Sequence, residues 1–125
     1  MTADGTRILL AEDSPVIQRM LSVTLAKEGF KVETASNGRE AATAVQFTEF
    51  DLIFMDLRMP EMDGLEATKE IRQLSIRQPP IVALSGDDDA QTIETCMQAG
   101  MNGHLTKPIV MKDMLEMISN LTAAE

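Results

Sequence analysis

The sequence predicts an α/β fold: an open, doubly wound, five-stranded parallel sheet with helices on both faces and strand order 2-1-3-4-5. Three observations predict it. Short apolar runs alternate five times with segments of helical periodicity along the 125 residues. The runs are hydrophobic throughout rather than on alternate positions, as in parallel strands covered on both faces. Crossovers between parallel strands are right-handed, so the chain must close into a barrel or wind in two directions, and a barrel takes about eight such units. The open sheet is the solution for five. The whole chain, 1–125, reads as one domain with its core over about 7–121, and a domain of this size buries roughly two thirds of its unfolded surface without staples.

Taken in order, Arg7-Ile8-Leu9-Leu10-Ala11 reads as the first strand and ends in Glu12-Asp13. Ser14 can cap the helix that follows, with Pro15 at its first position and Gly29 as its stop. Ile17, Met20, Leu21, Thr24 and Leu25 recur on it at helical spacing. Lys31 to Ala35 is the second strand, with β-branched Val32 and Thr34, and Asn37-Gly38 opens an alanine-rich helix over about 39–48. Asp51 to Met55 is the most apolar strand and ends in Asp56, and a helix over about 65–74 follows the break at Pro60 and Gly64. Pro79-Pro80 introduces Ile81 to Leu84, which ends in Ser85-Gly86; a helix over about 90–99 stops at Gly100. Gly103 to Thr106 ends in Lys107-Pro108, and 111–121 is the last helix. The helical methionines read mostly as core fillers, although Met20 also falls at helical spacing with Val16 and Val23 on the first helix beside the strand end, where core burial and exposure compete.

Composition excludes several functions. Lys plus Arg number 11 against 20 Asp plus Glu, a net charge of −9, so direct contact with nucleic acid or an anionic membrane is not expected. Four Phe with no Trp or Tyr are poor material for stacking bases. The single Cys96 supplies no internal disulfide and reads as a small helix residue. No apolar run approaches the roughly 20 residues of a membrane helix, and the expected location is cytoplasmic.

In open α/β sheets ligands bind beyond the carboxyl ends of the strands, where the winding reverses. Here that point lies between the first and third strands, whose ends carry Glu12, Asp13 and Asp56, while the fourth and fifth carry Ser85 and Lys107. Neighbouring strands lie about 4.8 Å apart, which makes Asp13 and Asp56 near neighbours. Carboxylates about 5 Å apart repel by roughly 3 kcal/mol at an effective dielectric of about 20, so the site needs a cation or a retained proton. Oxygen ligands without His or Cys favour Mg²⁺. Asp56 as nucleophile, with Mg²⁺ and Lys107 neutralising phosphoryl oxygens and Ser85 bonding another, has the parts for phosphoryl transfer.

Four motifs in register with the strand ends carry a family resemblance: Glu12-Asp13, Met55-Asp56-Leu57-Arg58-Met59-Pro60-Glu61-Met62-Asp63-Gly64, Ala83-Leu84-Ser85-Gly86 and Lys107-Pro108. From Ile8 to Ile118 the chain resembles the response regulator receiver domain of two-component signalling, with its CheY-like, flavodoxin-like fold. The resemblance implies that Asp56 is the phosphoacceptor. It implies Mg²⁺ held by Asp13, Asp56 and the Arg58 backbone carbonyl, with Glu12 acting through water. Ser85 and Lys107 would contact the phosphoryl group, and the Lys107-Pro108 bond would be cis. The donor would be a histidine kinase or a histidine phosphotransfer protein. The chain would serve an output domain or sit within a parent hybrid kinase, whose receivers its wording around Asp56 and Lys107 resembles most. A receiver promotes its own phosphorylation and dephosphorylation and is not a turnover enzyme.

Two positions depart from the family. His104 stands where most receivers carry Tyr or Phe, whose inward rotation follows the hydroxyl, and Gly86 stands where Ala is usual, which would loosen that loop. Asp87, Gly86, His104 and Pro108 are therefore tuning candidates beside Ser85. The run Asp87-Asp88-Asp89 reads foremost as a helix cap, and His104 as a half-buried edge-strand residue. Pro15, Val16 and Arg19 are the expected docking face for a donor helix bundle. Two other classes compete. A haloacid-dehalogenase-like phosphohydrolase would also use Asp56 as nucleophile but wants a second Asp where Arg58 stands. A flavin carrier would place its phosphate beside Glu12-Asp13, which would repel it.

Overall fold

The computed structural model describes residues 5–122, so the two ends of the expected 1–125 domain lie outside the described residues. The elements are β1 (Arg7–Ala11), α1 (Pro15–Lys27), β2 (Lys31–Ala35), α2 (Gly38–Ala44), β3 (Leu52–Asp56), α3 (Gly64–Arg72), β4 (Ile81–Ser85), α4 (Ala90–Ala99), β5 (Gly103–Thr106) and α5 (Met111–Thr122). The strands form one parallel sheet in the order β2-β1-β3-β4-β5, as the sequence predicts.

The apolar strand runs are explained by two cores. Leu9, Ile53, Met55 and Ala83 face Ala41, Ala67, Ile71 and Cys96 of α2, α3 and α4. Ile8, Leu10, Leu52, Phe54, Val82 and Leu84 face Leu21 and Leu25 of α1 and Met114 and Ile118 of α5. Successive side chains point to opposite faces, so a strand covered on both sides has no position free to be polar. At the carboxyl ends Glu12, Asp13, Asp56 and Lys107 gather.

Local chemistry sets the helix ends. Ser14, Asn37, Asp63 and Asp89 each accept a backbone N–H three residues on, as N-caps do. Gly29 and Gly100 hold positive φ of 101° and 109° at the stops of α1 and α4. α2 is shorter than expected. It ends at Ala44 because Gln46 and Phe47 donate to carbonyls only three residues back, which tightens the last turn out of the α pitch.

Most helical methionines fill the core as expected, Met114 being buried and Met111 and Met117 packed against it, while Met20 and Met97 are 59% and 48% exposed. On α1 the inward ridge is Ile17, Leu21 and Leu25 at spacing i, i+4, and Met20 falls instead on the outward row with Val16 and Val23. Among the described residues, no helix is long and apolar enough to cross a membrane.

Candidate functional site

Asp56 is the last residue of β3 and Glu12 follows β1; their exposures are 2% and 1%, while Asp13 is exposed. Because β1 and β3 are neighbours, one carboxylate oxygen from each of Glu12, Asp13 and Asp56 lies within 4.8 Å of the others. Lys107, just past β5, reaches over the end of β4. Its Nζ donates to Asp56 Oδ2 at 2.7 Å and lies 3.5 Å from Glu12 Oε1. The sequence-predicted acidic pair, the acceptor and the lysine are thus one cluster.

The electrostatics of the cluster are unbalanced. Glu12 Oε2 accepts the Ser14 N–H at 3.0 Å, but the buried Oε1 makes no hydrogen bond, the 3.5 Å approach of Lys107 being an ion pair only. Burial, with Asp56 close by, pushes the Glu12 carboxyl up to about 7. Burial opposes the Lys107 charge, yet its hydrogen bond to Asp56 and the charges of Asp56 and Glu12 outweigh this and hold the ammonium above its ordinary range. One ammonium cannot neutralise three carboxylates. The orphaned Glu12 oxygen and the all-oxygen donor set suit a hard divalent cation.

Several residues position this cluster. Asp56 Oδ1 accepts the N–H of Arg58, whose side chain is exposed, at 3.1 Å. Gln18 donates to the carbonyls of Glu12 and Ala35 at 2.8 and 3.3 Å, fixing α1 against the ends of β1 and β2. A Cβ on Gly64 would overlap the Asp56 carbonyl oxygen and sit 2.9 Å from Met55 Cγ, so only glycine lets α3 begin so close beneath the acceptor. The sequence reading missed Gln18 and the packing role of Gly64. The place of Gln18 one turn beyond the Ser14 cap was the available signal.

Ser85 ends β4 and is 7% exposed. Its hydroxyl donates to the Asp87 carbonyl and accepts the Asp87 N–H, both at 3.0 Å, so it is turned toward its own loop. Asp89 caps α4 through the Thr92 N–H at 2.7 Å, as expected for the acidic run, and Asp87 Oδ1 accepts the Asp89 N–H at 3.3 Å. His104 is half-buried on β5, as expected, with Nε2 3.1 Å from the Asp87 carbonyl. Nothing in the sequence signals that bond, because the two residues are 17 positions apart. The Lys107-Pro108 bond is cis. Gly86 holds no positive φ, and a Cβ there would meet nothing within 4 Å. Pro15, Val16 and Arg19 are all exposed beside the acidic cluster, Val16 by 74%. A cavity of about 370 Å³ lined by Val45, Phe47, Phe50 and Ile76 lies at the opposite, amino end of the strands and takes no part in the cluster.

Comparison with known proteins supplies the context. The family model for the response regulator receiver domain matches residues 8–119. Hybrid signal transduction histidine kinase B of Dictyostelium discoideum is 40% identical over 121 residues, covering 87% of this chain and 6% of that protein. The osmosensing histidine protein kinase SLN1 of Saccharomyces cerevisiae is 37% identical over 126 residues, covering 96% of this chain and 10% of that protein. The chain spans between 6% and 14% of the curated relatives it matches. Among solved structures, the receiver domain of sensor histidine kinase PA1611 from Pseudomonas aeruginosa, with a magnesium ion in its active-site cleft, is 35% identical. It superimposes with TM-score 0.89 over 96% of this chain and 99% of that one. The Saccharomyces cerevisiae Ssk1 receiver domain, solved with the phosphotransfer protein Ypd1, is 28% identical with TM-score 0.91 over 98% of this chain and 92% of that one.

Proposed function

This chain belongs to the response regulator receiver domain family, and on that premise we propose that it takes a phosphoryl group onto Asp56 from a phosphohistidine donor. One observation carries the reading: Asp56 is buried at a strand end, bonded to Lys107 at 2.7 Å and within 4.8 Å of Glu12 and Asp13. Like other receiver domains it is a signalling module of two-component systems rather than a classical enzyme, and it acts as one receiver unit over 1–125.

Asp13, Asp56 and the Arg58 backbone carbonyl would hold Mg²⁺, with Glu12 acting through water. Mg²⁺ in that place supplies positive charge to the phosphoryl oxygens. A carboxylate oxygen of Asp56 attacks phosphorus, the bond from phosphorus to the donor nitrogen breaks, and the donor imidazole leaves with the electron pair. Lys107 already touches Asp56 Oδ2 and is placed to follow the charge onto a phosphoryl oxygen. The Ser85 hydroxyl must leave the Asp87 carbonyl to donate to another. Attack by water on the phosphorus later restores the carboxylate and releases phosphate, so the domain serves both its own loading and its own clearing. The added charge of about −1.5 to −2 is the signal.

The donor is a histidine kinase or a histidine phosphotransfer protein. The Ypd1 complex of the Ssk1 receiver supports the second, and the hybrid-kinase relatives support a place within a parent kinase or before an output domain. Pro15, Val16 and Arg19 are the proposed docking face and Gly86, Asp87, His104 and Pro108 the proposed tuning positions. The phosphohydrolase alternative finds no support: Arg58 occupies the place of its acid, and the family match is to receivers.

Incubation with acetyl phosphate and Mg²⁺ tests the reading by intact mass. The native chain gains one phosphoryl group and the Asp56→Asn variant gains none. A gain that persists in the variant overturns the assignment.

A further inference from the structure

The Asp87 carbonyl oxygen receives two donors, the Ser85 hydroxyl at 3.0 Å and His104 Nε2 at 3.1 Å. A carbonyl only accepts, so Nε2 carries a proton. The Lys107 backbone N–H, one residue past the same strand β5, donates to the Ser85 carbonyl at 2.7 Å. Two grips from β5 and the residue after it therefore bracket Gly86, one on the main chain of Ser85 and one on that of Asp87. The Ser85 side chain is the group left free to turn.

We propose that His104 is a positioning residue for Ser85: it holds the Asp87 carbonyl before and after phosphorylation, so that the hydroxyl turns to a phosphoryl oxygen under a stationary loop. The proposal rests on the reading of Asp56 as phosphoacceptor. It differs from the ring rotation implied by the family resemblance, because this imidazole is already bonded to the loop while the Ser85 hydroxyl is still bonded to Asp87. A shared acceptor holds each donor less tightly than it would hold one alone. His104 thus loosens Ser85 from Asp87, and it keeps the carbonyl satisfied once the hydroxyl has gone.

His104 is the one histidine of the chain, so its ring nitrogens give an unambiguous NMR signal in the tag-free protein. With Mg²⁺ and beryllofluoride as phosphoryl mimic, the ring stays in the Nε2–H form and its Nε2 proton moves downfield as Ser85 releases the shared oxygen. Ser85→Ala without mimic moves it in the same direction. His104→Phe binds the mimic about fivefold more weakly, the worth of one net hydrogen bond, and His104→Gln, which keeps a donor, recovers most of that loss. The proposal is overturned by a ring that leaves the carbonyl when the mimic binds, by a signal indifferent to Ser85→Ala, or by equal affinity in His104→Phe. Absence of a bound fluorine signal in the native protein instead refutes the phosphoacceptor reading, and the Ser85→Ala comparison still decides whether the oxygen is shared.

Discussion

Lys107 Nζ and Asp56 Oδ2 meet at 2.7 Å although the residues are 51 positions apart and their strands are separated by β4. The bond joins the group that accepts charge to the group that answers it, over a sheet edge with two further carboxylates. Its loss leaves Asp56 and Glu12 buried without an ammonium. We expect Lys107→Met to lower stability in metal-free urea unfolding by about 1–3 kcal/mol, and added Mg²⁺ to narrow the gap to the native protein. A variant as stable as the native chain without Mg²⁺ would count against the pairing.

Glycine matters at one site-flanking position and not at another. Gly64→Ala drives a methyl into the Asp56 carbonyl and should cost about 1–3 kcal/mol by overpacking. Gly86→Ala enters open space and should stay within about 0.5 kcal/mol of native. Thermal unfolding of the two variants side by side checks the contrast, which equal effects would erase.

The Asp89 carboxylate accepts the Thr92 N–H, and that bond holds its carboxyl below the ordinary value of 3.8. The folded value is the depressed one, so the cap contributes above the ordinary carboxylate range and is lost as pH falls through the lower folded value. The Thr92 amide resonance should therefore titrate below pH 3.8. In Asp89→Asn, which keeps an acceptor without a proton to gain, that titration should vanish. A midpoint above the ordinary value would contradict the capping bond.

Docking and chemistry should separate on α1. Val16→Glu places a charge on the exposed row of Val16, Met20 and Val23. Transfer from a phosphorylated histidine phosphotransfer protein should slow by about tenfold, the scale of one interface residue, while labelling by acetyl phosphate, which needs no docking face, continues. If transfer keeps its native rate, the face lies elsewhere.

Much of the fold was legible because each element carries its own local signal. Ser14-Pro15, Asn37-Gly38 and Gly100 announce helix ends through capping and left-handed geometry, and Ile53 to Met55 announce a covered strand through the lack of any polar alternative. The strand order followed from handedness and length. The spacing of Met20 suits the inward row and the row of Val16 and Val23 alike, and packing decides between them: Ile17, Leu21 and Leu25 fill the seat against the sheet, and an equally apolar Met20 is left outside.

By itself the sequence determined the elements, their order in the sheet and the acidic, lysine-bearing edge, since these depend on spacing, apolarity and charge that each segment carries alone. Only the tertiary structure decided that Glu12 keeps an unbonded oxygen beside Asp56 and that Gly64 yields room beneath the acceptor. It alone decided that Ser85 and His104 share the Asp87 carbonyl. Such relations are set by the directions of side chains converging from separate strands within hydrogen-bond range, and no single segment encodes a direction until its neighbours fix the frame.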